Sequence, residues 1–160
     1  MSDVKHRMAI AQGQFSEFWN IWRDHRLPRT MKLDLHTASV CSTFTHGCES
    51  WTLSPPVLRS INGFNSRCLH HITHRSYREE AVSPTYDLVL AVRKRRMRWL
   101  GHILRMPDNR LVKQTVRGIA SDGPPYPSGS LLMDCTARFE EVHTKAQYRD
   151  AWDLFTDNIR

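Results

Sequence analysis

A chain of 160 residues, 40% hydrophobic and 24% charged, is long enough to bury one ordinary core and too apolar to be disordered throughout. No apolar run approaches the roughly 18–20 residues of a membrane span, and the first residues lack the apolar segment of a secretory signal. The net charge of +7 is unevenly placed: residues 58–118 hold 13 Lys and Arg against 4 Asp and Glu, so the middle of the chain carries more than the whole surplus. Such clustering favours a polyanionic partner over charge spread for solubility. The four cysteines, at 41, 48, 68 and 135, have no pairing rhythm. The expectation is an intracellular protein, nuclear or cytoplasmic, with reduced thiols.

Taken in order, Met8, Ala11, Phe15, Phe18, Trp19 and Trp22 recur at helical spacing and predict a helix over 4–22, with the aromatic stripe in the core. Gly13 weakens it by about 1 kcal/mol relative to Ala, and Pro28 interrupts. A second helix is predicted from Thr30, an expected N-cap. It turns Leu33, Thr37, Val40, Cys41 and Phe44 to one face and ends at Gly47. Ser54-Pro55 then marks the start of a third helix. There Leu58, Ile61, Phe64, Cys68, Leu69 and Ile72 form the inner stripe, with Arg59, Arg67, His70, His71 and His74 outside. Residues 76–83 read as a polar loop, and Ser83-Pro84 as the opening of the next helix.

That next helix contains Arg93-Lys94-Arg95-Arg96-Met97-Arg98-Trp99-Leu100-Gly101-His102-Ile103-Leu104-Arg105-Met106. At 100° per residue, Leu90, Met97, Leu100, Ile103 and Leu104 share an apolar arc. Lys94, Arg95, Arg98, His102 and Arg105 share the opposite, basic one. Arg93 and Arg96 fall inside the apolar arc, where they must snorkel or find an acidic partner or phosphate. Trp99 lies beside the same arc and is expected to pack.

Pro107-Asp108-Asn109 breaks the helix. Asn109 is expected to cap a short helix through Leu111, Val112 and Val116, ending at Gly118. The Pro/Gly segment 121–130 reads as a linker and a preferred proteolytic site. Beyond it, one stripe of Leu132, Cys135, Phe139 and Val142 and another of Tyr148, Ala151, Trp152, Phe155 and Ile159 predict a helical pair. The expected fold is an all-α small helical bundle, divided as 1–118, a linker at 119–130 and a C-terminal pair at 131–160.

Three landmarks carry a family resemblance: Thr45-His46-Gly47-Cys48-Glu49-Ser50-Trp51, then Asn65-Ser66-Arg67-Cys68-Leu69-His70-His71-Ile72, then Arg95 to Met106 followed by Asp108-Asn109-Arg110. In this order and spacing they resemble the region downstream of the polymerase palm in non-LTR (LINE-like) retrotransposon reverse transcriptases, which usually also carry an endonuclease. In that family a Tyr-Gly-Cys-Glu-x-Trp motif precedes Arg-Cys-Leu-Arg-x-Ile and then Arg-Arg-x-Arg-Trp-x-Gly-His-x-x-Arg-Met. The resemblance covers about residues 8–118. It implies a thumb-like fragment without the catalytic core. Here His46 stands where the family has tyrosine, and His70 and His71 stand among the second motif's arginines. The segment 123–129 has no Lys or Arg where relatives commonly run through a basic Gly-Arg-Pro stretch. Decay of a retroelement copy would explain these departures.

Polymerase chemistry needs carboxylates around two metal ions. No Asp-Asp pair occurs, and Glu79-Glu80 and Glu140-Glu141 read as solvated charge, so no catalytic residue and no enzyme activity is expected of this chain. Cys68, His71 and His74, with Cys48 nearby, are a candidate zinc set. Their spacing departs from the compact knuckle pattern, and a core cysteine with surface histidines is the preferred reading. Nucleophilic roles for Cys41, Cys48 or Cys135 rest on residue type alone. No metal, cofactor, small-molecule substrate or membrane is expected. The function expected is weak, sequence-independent RNA or DNA binding. Lys94, Arg95, Arg98 and Arg105 would meet phosphates, with Arg93 and Arg96 as helpers. The alternatives are a module docking an acidic protein, or a decayed copy with no function.

Overall fold

The computed structural model describes residues 2–73, 87–121, 132 and 139–159; these residues are mainly helical, and no strand occurs among them. The fold is all-α. It divides into two compact units, Met1–Cys48 with Pro55–Ala91 and Glu49–Ser54 with Val92–Arg160. These boundaries differ from the expected divisions at 118 and 131.

In the first unit the expected N-terminal helix is two helices, α1 (Ser2–Glu17) and α2 (Trp19–Arg23), parted at Phe18. The cause is Trp22. Its indole Nε1 donates to the Phe15 carbonyl at 2.7 Å, an acceptor that an unbroken helix would give to residue 19. The ring stacks on Phe15, with centroids 5.1 Å apart. Ala11, Phe15 and Trp22 are buried as expected, whereas Trp19 is 41% exposed.

Pro28, at φ −58°, occupies the cap position of α3 (Arg29–Leu35). Thr30 therefore falls inside the first turn and is not the cap. Lys32 is buried, and its ammonium donates to the Trp22 carbonyl at 2.8 Å, closing an acceptor left open at the end of α2. A π-helical turn, His36–Cys41, follows directly. Its extra residue shifts the inward register. His36 is buried, while the expected Leu33 and Thr37 stay half-buried; Val40, Cys41 and Phe44 point inward as expected.

Gly47 takes φ +72° in the turn that ends this run, a conformation open to glycine at little cost. Helix α4 (Pro55–Thr73) begins on Pro55, as the Ser-Pro signal predicts. Its inner stripe is Val57, Ile61, Phe64, Cys68 and Ile72, joined by Asn65 and Leu69. Val57 takes the place expected for Leu58, because 57, 61, 64, 68 and 72 keep strict i, i+4, i+7 spacing. Phe64 stacks on Phe44 at 5.3 Å.

The expected loop at 76–83, His74 and the Ser83-Pro84 start lie outside the described residues. Helix α5 (Leu88–Arg105) is capped by Asp87, whose carboxylate accepts from the amides of Val89 and Leu90 at 2.9 and 3.1 Å.

The core of the second unit gathers Met97, Leu100 and Leu104 of α5 with Ala120, Leu132, Val142, Ala146 and Trp152; Val116, Phe155 and Ile159 lie at its edge. Helix α6 (Leu111–Ser121) neither starts on Asn109 nor stops at Gly118. Lys113 turns inward and donates to the Met106 carbonyl at 2.6 Å and to the Asp108 carboxylate at 2.8 Å. That rotation leaves Leu111 and Val112, expected inside, 76% and 48% exposed. The C-terminal pair forms as α7 (Phe139–Gln147) and α8 (Arg149–Asp157). Within it, Tyr148 and Ala151 are exposed rather than part of the inner stripe. The expected linker beyond Ser121, and Cys135, lie outside the described residues.

Candidate nucleic-acid interface

The basic stretch folds as a helix because its apolar arc has a core to enter. Met97, Leu100, Ile103 and Leu104 are buried. Arg96, one of the six cations expected to meet phosphate, lies on the same side and is only 1% exposed. Its position inside the apolar arc removes it from any surface contact. Arg93 is half-buried.

The other four cations separate into two roles. Arg105 donates from Nη1 to the Ala146 carbonyl at 2.9 Å. That carbonyl belongs to the last turn of α7, where the helix leaves acceptors open and favours a cation; Arg105 is a fastener of the unit more than a free cation. Lys94 donates to the Asp157 carbonyl at 3.1 Å and lies 3.8 Å from the Asp157 carboxylate. Arg98 lies 3.7 Å from the same carboxylate and remains 59% exposed. Arg95 Nε lies 3.9 Å from Glu49 Oε1. These last ion pairs are long and wet, the class worth about 0–1 kcal/mol.

Trp99 does not pack as expected. It is 39% exposed, since it precedes Leu100 by about 100° on the helix, outside the arc that Met97, Leu100 and Leu104 fill. Its ring lies beside that of His102, with centroids 5.3 Å apart and planes 32° apart. Arg95, Arg98, Trp99 and His102 stand at i, i+3, i+4 and i+7, one continuous stripe. The charges of this stripe are legible in the sequence, whereas its aromatic member falls beside the apolar arc and was expected in the core. The signal was the spacing of Trp99 from Arg95, i and i+4.

The other cluster of reactive residue types is internal to the first unit. His36 Nδ1 lies 3.4 Å from Cys41 Sγ, and the imidazole and the Phe15 ring stand nearly perpendicular, with centroids 6.2 Å apart. Burial holds the His36 imidazole down at about 4. Burial likewise raises the Cys41 thiol and pushes the Cys68 thiol up to about 12. At neutral pH this is a neutral ring among protonated thiols, unsuited to nucleophilic attack. Of the zinc candidates, Cys68 is buried and His71 sits on the outer side of α4 against Trp19. Among the described residues no group of three or more His, Cys, Asp or Glu is placed to hold a metal ion. Glu141 is exposed, and Glu79-Glu80 lie outside the described residues. No helix among the described residues is long and apolar enough to cross a membrane.

No family model, curated protein or solved structure matches this chain.

Proposed function

We propose that this chain is a non-catalytic fragment of the post-palm, thumb-like region of a non-LTR retrotransposon reverse transcriptase, and that it binds RNA or DNA weakly and without sequence preference. The observation that carries the reading is the outward stripe of α5: Arg95 and Arg98, with Lys94 at its edge, on a helix whose other side is anchored in a core. The positive surplus of residues 58–118 and the three ordered motifs support it. Arg96 and Arg105 drop out of the contact set, the first by burial and the second by its bond to Ala146. The remaining set is small. Neutralising about three phosphates gives a log–log salt slope of about −2 to −3. No Asn or Gln lies on the stripe to read base edges, so discrimination between sequences is poor.

A salt titration of binding to generic RNA and DNA tests the reading, wild type against Lys94→Glu/Arg98→Glu, with folding followed by circular dichroism. Equal binding by two folded proteins, or no binding by either at low salt, overturns it. Primer extension on an RNA template with magnesium is expected to stay at background; template-dependent extension by pure protein would sink the fragment reading.

One observation favours a second reading. Lys94 and Arg98 already face the Asp157 carboxylate, and Arg95 faces Glu49. Carboxylates therefore fit this surface, as the face of a module docking an acidic protein would require. Binding of an acidic peptide with no binding of nucleic acid at low salt would favour that reading. Binding of neither would leave the decayed copy.

A further inference from the structure

We propose that Trp99 and His102 form a stacking platform for unpaired bases, so that the basic stripe of α5 takes single strands ahead of duplex. The inference rests on the nucleic-acid reading and names its substrate class.

Trp99 is 39% exposed, whereas the core indoles of Trp22 and Trp152 are at 0% and 1%. Its neighbours on the stripe are Arg95, Arg98 and His102. An exposed indole paired with an imidazole and flanked by guanidiniums is the combination that holds a strand through base faces and phosphates together. From Arg95 to His102 the helix rises about 10 Å. That is the length of about three stacked bases at a rise of about 3.4 Å along one strand. A duplex presents phosphates to such a stripe but hides its base faces in the stack. Only an unpaired strand offers both.

Glu49 lies 3.9 Å from Arg95 Nε, and Asp157 lies 3.7 Å from Arg98 Nη2. Both repel phosphate and hold the purely electrostatic contribution down. Stacking, which carries no charge, keeps its full value beside them. The ring faces therefore account for a larger share of binding here than on an unopposed basic helix. Neither Trp99 nor His102 reads base edges, so the platform accepts any base.

The test uses the full chain with three probes at low salt: a single-stranded oligo(dA), its RNA counterpart, and the oligo(dA)–oligo(dT) duplex. The wild type is expected to bind both single strands more tightly than the duplex and to lose part of its tryptophan fluorescence as the bases stack. Trp99→Ala should lower single-strand affinity by about 5- to 150-fold, the range set by one base–aromatic stack, and leave duplex affinity within about 2-fold. Trp99→Phe should restore most of the single-strand affinity without the fluorescence loss. If Trp99→Ala melts early, Trp99→Gln carries the same comparison. Equal wild-type binding to strand and duplex, unchanged by Trp99→Ala, overturns the platform and leaves the nucleic-acid reading standing. No binding to any probe at low salt overturns that reading and the platform with it.

Discussion

The indole of Trp152 lies where a side chain on Gly101 would begin: a Cβ built there would collide with Nε1, Cε2 and Cδ1 of the ring. The same Nε1 donates to the Met97 carbonyl at 3.2 Å. Within the second unit, α8 thus approaches α5 over one glycine, and the buried ring closes the core of Met97, Leu100, Leu104 and Val142. Gly101 is a glycine for space, despite the cost of about 1 kcal/mol that glycine brings to a helix interior.

Gly101→Ala should therefore destabilise the unit by about 1–3 kcal/mol, the usual cost of overpacking. Trp152→Ala should cost about 3–5 kcal/mol by leaving a cavity. In the Trp152→Ala background the Gly101→Ala cost should vanish or change sign, because the collision is gone and alanine favours helix. Urea unfolding of the four proteins measures the coupling. Strictly additive effects would mean that the ring does not seat against Gly101.

The inner stripes were legible because burial follows helical period: Phe15, Trp22, Phe44, Ile61, Phe64, Leu100, Leu104 and Trp152 are all inside. What was not legible depended on single polar partners. A π turn brought His36 in and left Thr37 half-out. Two acceptors, the Met106 carbonyl and the Asp108 carboxylate, drew Lys113 inward and rolled Leu111 to the surface. A carbonyl has no letter in a sequence, so neither Lys32 on Trp22 nor Arg105 on Ala146 could be read from hydropathy. The basic side of α5 was visible as charge, but its split into a buried Arg96, a fastening Arg105 and an outward Arg95–Arg98–Trp99–His102 stripe needed the packed unit.

His36 should make the fold acid-sensitive. Its folded-state value of about 4 lies below the ordinary 6.5, owing to burial. The unfolded chain therefore takes the proton first. The stabilisation is full above about 6.5 and is lost as pH falls from there through the folded value of about 4. By about pH 4.5 the loss from this residue is about 2–3 kcal/mol. Urea unfolding at neutral pH and at that pH should show a wild-type loss larger than that of His36→Gln by this amount. Parallel losses in the two proteins would show that another group governs the acid limb.

Lys113 and Asp108 should add a second, lower acid limb. The hydrogen bond from Lys113 holds the Asp108 carboxyl below the usual carboxylate range, with Arg117 adding to it. A depressed carboxylate stabilises the fold above its unfolded value of about 3.9, and the stabilisation is lost as pH falls through the folded value. Asp108→Asn should be less stable than wild type at neutral pH, and the difference should close as pH falls from about 4 through the folded value. Lys113→Ala should cost about 2–3 kcal/mol, because two charge-assisted bonds go and the Met106 carbonyl loses its donor. A thermal melt series across pH checks both. A difference for Asp108→Asn that persists unchanged into acid would show that charge is not the source of its effect.

Asp157 should restrain binding on the nucleic-acid reading. Its carboxylate lies 3.8 Å from Lys94 Nζ and 3.7 Å from Arg98 Nη2, and it is 62% exposed. A phosphate approaching those cations must displace or sit beside it. Asp157→Asn removes the charge and keeps the backbone carbonyl that Lys94 holds at 3.1 Å, so the C-terminal turn retains that anchor. Exposed pairs of this kind are worth about 0.2–1 kcal/mol, which converts to an affinity gain of up to about 5-fold. Screening lengths of about 10 Å at 0.1 M salt and about 3 Å at 1 M mean that the gain should be clear in dilute salt and vanish near molar salt. The fold should change little in stability. A fluorescence-anisotropy titration of one oligonucleotide with wild type, Asp157→Asn and Asp157→Asn/Arg98→Gln gives the outcome. The double variant should fall back to or below wild-type affinity, because one of the two freed cations is then absent. A folded Asp157→Asn with unchanged affinity in dilute salt would mean that Lys94 and Arg98 do not meet the phosphates, and the contact set would have to move away from this edge of α5.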